Sequence, residues 1–185
     1  MRMLFGCWLC VTLALPAMAQ ERLTSPYVDE RSTEIRGFTG KEIEDLRDGA
    51  GMGLARAAEL NSYPGLRHLL DAVQQGRFET RGDQLKRLTE IFEGMKREAQ
   101  RIGAAILGEE ARLEAAFRSG AMTDGELRSR VSRIAQLQGE LRSAHLAAHL
   151  ATRAILTEQQ IEEYNKLRGY TPNTSDDGSP HQHRH

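Results

Sequence analysis

The sequence predicts an all-α fold, a long antiparallel helical hairpin with shorter N- and C-terminal helices packed on it. Three observations carry that expectation. Apolar residues recur in steps of three and four along two long stretches, the period of helices that bury one face. Helix-start signatures recur at Thr39, Pro64, Thr123 and Thr157. With 5% aromatic and 28% charged residues, the composition suits extended helices better than a thick sandwich or α/β core.

The first 19 residues read as a secretory signal rather than as part of the fold. Arg2 supplies the basic region, Leu4 to Leu15 the apolar region, and Ala17-Met18-Ala19 a small-residue cleavage site, so the mature chain is expected to start at Gln20. Both cysteines, Cys7 and Cys10, lie in that leader. The mature chain therefore has no thiol, which fits an oxidising compartment and removes thiolate catalysis and thiolate metal binding. Any metal would be held by His, Glu, Asp or Met. The whole chain has a formal charge of −1, and losing Arg2 with the leader removes one basic and no acidic residue. No basic surplus points to nucleic acid.

Residues 20–37 are polar and aperiodic, an expected flexible arm. In "FTGKEI", Thr39 and Glu42 form a capping box and Phe38 can staple onto Ile43. A helix should begin at Lys41 or one residue earlier and continue to about Leu60, weakened by Gly49, Gly51 and Gly53, which mark a bend or a close helix contact. A second, short helix follows Pro64 and stops at Gly76, with Leu66, Leu69, Leu70 and Val73 on one face. From Asp83 to Arg118 a seam runs Leu85, Leu88, Phe92, Met95, Ala99, Ile102, Ile106, Leu113 and Phe117. Gly120 ends that helix, and Thr123 with Glu126 starts the next, from about Asp124 to Ile155. Its seam reads Leu127, Val131, Ile134, Gln138, Leu141, His145, Ala148, Thr152 and Ile155. In "LTEQQI", Leu156, Thr157, Gln160 and Ile161 again make a box and a staple, starting a last helix that ends near Gly169. The domain is thus expected over 38–170, with 171–185 a disordered His-containing tail.

His145 occupies a seam position that the pattern reserves for an apolar side chain, and His149 lies one turn on, flanking the same face. A hairpin turning near Ala121 brings residue 145 level with about Arg97, so that the Glu98 carboxylate can point toward His145. Two imidazoles four residues apart with a facing carboxylate suit Zn, Ni, Co or Cu. The other reading is a core histidine hydrogen-bonded to Glu98, with His149 solvated. His68 lies off the apolar face of its helix, and Met52 can be a thioether ligand or a packing residue. His181, His183 and His185 in the terminal "HQHRH" can chelate a metal or belong to an incidental polar tail.

An enzyme is not expected. Leu146 stands where the Glu of an H-E-x-x-H zinc protease would be, and no E-x-x-H pair, haem-attachment motif, G-x-S-x-G or phosphate-binding Walker loop occurs.

The leader, the cysteine-free helical chain, the long hairpin and "LTEQQ" as an L-T-x-x-Q motif together resemble the Spy/CpxP family from Phe38 to Tyr170. That family comprises periplasmic chaperones and heavy-metal sensor or resistance proteins of the ZraP- and CnrX-like kind. The stretch corresponding to its earlier motif reads "RFETRGDQLKRL", with Thr80 and Gln84 spaced one residue wider. The resemblance implies a periplasmic location, a homodimer, and metal-ligand roles for His145, His149, Glu98 and His68. It implies one of two activities: a metal sensor or buffer acting on an inner-membrane signalling protein, or an ATP-independent chaperone that binds unfolded clients.

Overall fold

In the computed structural model, residues 25–32 and 34–171 are described. The expected leader, and the tail histidines His181, His183 and His185, lie outside the described residues. The fold is all-α, with the long helix pair and the shorter flanking helices that the apolar period anticipates. In chain order, α1 is Gly40–Asp48, α2 Arg56–Glu59, α3 Leu66–Gln74, α4 Gln84–Arg118, α5 Asp124–Ile155 and α6 Glu158–Leu167. Among the described residues, no helix is long and apolar enough to cross a membrane.

Among the described residues, side-chain caps set three of the six α-helix starts. At Thr39 and Thr157 both halves of the capping box form, through Glu42 and Gln160 respectively. Thr123 accepts from the Glu126 amide at 3.3 Å, whereas the Glu126 carboxylate turns to Arg130. The first helix ends far short of Leu60. Gly49 takes the left-handed conformation at its C-cap, φ 67°, and the backbone amides of Gly49 and Ala50 both return to the Asp45 carbonyl. Met52 and Gly53 are also left-handed, so 49–55 becomes a tight loop before the one-turn α2. A left-handed Met is a costly conformation, which the surrounding loop must hold in place.

Two apolar clusters form the core. One joins Ile43 and Leu46 of α1 to Ala99, Ile102, Ile106 and Leu107 of α4 and Leu137 and Leu141 of α5. The other joins Leu66 and Leu69 of α3 to Leu88, Ala148, Leu156, Ile161 and Tyr164. Met95 packs against both. Part of the expected flexible arm belongs to the first cluster, because Ile35 is buried there and Glu34 pairs with Arg47 at 2.7 Å. Along the expected α5 seam Ile134, Leu141, His145, Ala148 and Thr152 are buried, but Leu137 is buried in place of Gln138, and Gln138 and Val131 are exposed. Leu85 and Phe117, near the two ends of α4, are also exposed.

Candidate functional site

A cleft of about 620 Å³ opens where the two clusters meet. Its walls come from the 49–56 loop, the start of α3, the Phe92–Lys96 turn of α4 and the His145–His149 turn of α5. His145, His149 and His68 all line it, as do Met52 and Glu59. Helical spacing puts both α5 imidazoles on one wall. The hairpin register sets Met95 and Lys96 opposite them, close to the level anticipated from the turn.

His145 is 5% exposed, and its Nε2 is buried without a hydrogen-bond partner. Burial holds its pKa below the usual histidine range, with the neighbouring His149 acting in the same direction and a hydrogen bond to the Ala50 backbone opposing. The ring is therefore neutral at pH 7 and offers a lone pair that no protein donor uses. His149 is 9% exposed, and its Nδ1 lies 2.8 Å from the Tyr63 carbonyl oxygen. Because a carbonyl only accepts, Nδ1 carries the proton and the ring's orientation is fixed. This is the arrangement that orients metal-ligating histidines, in which the other ring nitrogen is free to bind. Arg153 supports the same loop by donating to the Ser62 carbonyl at 2.7 Å and stacking over the Tyr63 ring.

The expected role of Glu98 is corrected. Its carboxylate lies on the outer face of α4, 47% exposed, and takes two hydrogen bonds from Arg101 at 2.7 and 2.9 Å. It does not line the cleft. The arc of α4 turned inward is set by Ala99, Ile102, Gly103 and Ile106, which carry α1 as well as α5. Glu98 falls outside that arc. His68 lines the cleft but is solvent-exposed.

Glu59, which the sequence does not single out, is the carboxylate that the fold brings in. Burial raises its pKa, but hydrogen bonds from Tyr170 and Tyr164, with the charges of Arg168 and His68, outweigh this and leave it lowered. It is therefore ionised in the cleft wall. Its partners sit on α6 and just beyond, 105 to 111 residues along the chain. The signal available in the sequence was the polar content of the α6 inner face, where Gln160, Tyr164 and Asn165 are buried beside Ile161.

The L-T-x-x-Q stretch serves as a structural clamp. Gln160 is 3% exposed, and its Nε2 donates to the Glu79 carbonyl at 3.0 Å and to Gln84 at 2.9 Å. Gln84 in turn donates to the Ile155 carbonyl. The wider Thr80–Gln84 spacing therefore still delivers Gln84 to the α5–α6 turn. Leu156 and Ile161 are buried together as the staple requires.

Among the described residues, no group of three or more His, Cys, Asp or Glu is preassembled around one point as an ion would need. His145 and His149 fit a metal by the chemistry of their free lone pairs, and a third ligand has to be drawn in. Comparison with protein-family models, characterised proteins and solved structures gave no match to this chain.

Proposed function

We propose that the protein captures a divalent transition metal, Zn, Ni, Co or Cu, through His145 and His149, and acts as a periplasmic heavy-metal sensor or buffer in an envelope stress or metal-resistance response. One observation carries this reading: His145, whose Nε2 is buried and unpartnered, lines the same cleft as His149, whose Nδ1 is already committed to Tyr63. Leaving a buried polar atom unpaired costs about 1–3 kcal/mol, so a ligand bound by such an atom beside a cleft would recover that cost. A neutral imidazole donates its lone pair well to a metal ion. His68 at the cleft mouth is a further donor of the right chemistry.

A site whose ligands must be drawn together couples occupancy to shape, which is what a sensor requires. The moving parts are the 49–56 loop and the Tyr63–Gly65 segment, both of which line or support the cleft. The signal would then pass to an inner-membrane signalling partner, with the protein itself a homodimer.

Calorimetric titration of the chelator-stripped protein with zinc, nickel, cobalt and copper tests the reading. It is compared with His145→Ala/His149→Ala and with a variant carrying Ala at His181, His183 and His185. Binding that survives in the tail variant and disappears in the α5 double variant is the expected result. Binding lost with the tail histidines, or absent throughout, returns His145 to the core as a structural residue and leaves the unfolded-client chaperone as the better reading.

A further inference from the structure

We propose that Glu59 is the carboxylate that joins His145 and His149 on the ion, and that it transmits occupancy to α6. The proposal rests on the metal reading above and deepens it. Three donors converge on a single oxygen of Glu59. The Tyr170 hydroxyl donates to Oε1 at 2.8 Å, the Tyr164 hydroxyl at 3.1 Å and Arg168 Nε at 3.2 Å. The second oxygen, Oε2, accepts no hydrogen bond from the described residues. A carboxylate gripped through one oxygen is oriented, and the other oxygen is left to coordinate.

Oε2 lies on the side of His149. A Cβ placed on Gly65 would meet His149 Cε1 at 3.3 Å, Glu59 Oε2 at 3.4 Å and the Tyr164 hydroxyl at 3.4 Å. His149, Glu59 and Tyr164 therefore border one small space beside Gly65. The other acidic residues near the cleft are placed differently. Asp45 is engaged by Lys41 through both oxygens, at 2.8 and 2.7 Å. Asp48 lies at the α1 end of the cleft, beside Gly49.

The transmission follows from the same carboxylate. Drawing Oε2 toward an ion between the α5 imidazoles pulls on Oε1, whose donors all belong to α6 or the turn after it. Tyr164 also accepts from the Gly65 amide at 3.0 Å, so the start of α3 moves with it. Occupancy of the cleft is thereby felt at the C-terminal end of the domain.

The test is a cobalt(II) titration of the full chain read by its visible d–d absorption, with Glu59→Gln, Glu98→Gln, Asp48→Asn and His145→Ala/His149→Ala. Glu59→Gln is expected to weaken cobalt at least about 10-fold and to change the spectrum of the saturated complex. Glu98→Gln and Asp48→Asn are expected to leave both unchanged. Weaker binding with an unchanged saturated spectrum assigns Glu59 a purely structural role and overturns the proposal. A spectral change with Asp48→Asn instead moves the ligand there and also overturns it. If the unaltered chain binds no cobalt, or the double His variant binds as well as the unaltered chain, the metal reading falls and takes this proposal with it. Hydrogen exchange of the unaltered chain supplies a readout that no variant's folding can confuse. Cobalt should change protection across residues 158–170, and no change there sinks the transmission.

Discussion

His145 shows how one residue can be costly to the fold and still set its pH response. Burial and the neighbouring His149 lower its folded pKa below the 6.5 of a free histidine. The unfolded chain thus binds a proton at higher pH than the native one does. The resulting stability is complete above about 6.5 and is lost as pH falls toward and through the depressed folded value. Glu59, also lowered but from 4.5, contributes stability that disappears only in a more acidic window. Urea midpoints measured across pH 7 to 3 should therefore fall in two stages. His145→Leu, which supplies the apolar side chain that the seam pattern favours, should flatten the first stage and leave the second. An unchanged slope between pH 6.5 and 5 in that variant would show that His145 is not the titrating group.

At the level of elements, two positions separate local propensity from tertiary contact. Gly103 lies inside α4, where propensity alone predicts that Ala is better by about 1 kcal/mol. A Cβ there would land on the Leu46 carbonyl at the end of α1, so Gly103→Ala should instead destabilise by about 1–3 kcal/mol. Gly94, in the same helix, faces open space, and Gly94→Ala should stabilise by up to about 1 kcal/mol. Equilibrium denaturation of the pair checks both signs. The α5–α6 turn invites a similar comparison. Thr157→Ala removes a cap worth about 1 kcal/mol, whereas Gln160→Ala also leaves the Glu79 carbonyl and Gln84 without their buried partner, for about 2–3 kcal/mol in total. These elements also show what the sequence could and could not disclose. The bounds of α5 were legible because a cap and a staple mark its two ends. Gly49 was legible as a bend or a close helix contact, and Lys96 and Ala99 of α4 do approach it, but that α1 ends there was not, because the approach comes from another helix. Glu98 was misplaced because a two-helix register leaves out α1, which shares the inner arc of α4. Glu59 was invisible because its α2 helix is one turn long with no side-chain cap, and its hydrogen-bond partners come from the far end of the domain.

Across the whole molecule, the cleft lies between two clusters that few apolar contacts bridge, Met95 being shared by both. Polar ties join the segment from Glu59 to Gly65 to α5 and α6: His149 to Tyr63, Arg153 to Ser62, and Tyr164 to Gly65 and Glu59. An ion held by α5 imidazoles and a group on the α2 side would add a cross-link between these elements, and it would bind only the folded chain. Mass action then fixes the size of the effect. Zinc at 100 times its dissociation constant adds about 2.7 kcal/mol, and each kcal/mol raises the midpoint of a domain this size by about 2–4 °C. Thermal unfolding should accordingly shift upward by about 5–10 °C with zinc at that excess. The same zinc should leave His145→Ala/His149→Ala unmoved and should still act on the variant lacking the three tail histidines. An equal shift in the double variant would place the bound ion elsewhere on the chain, and the cleft would then be a structural seam between two halves of the core.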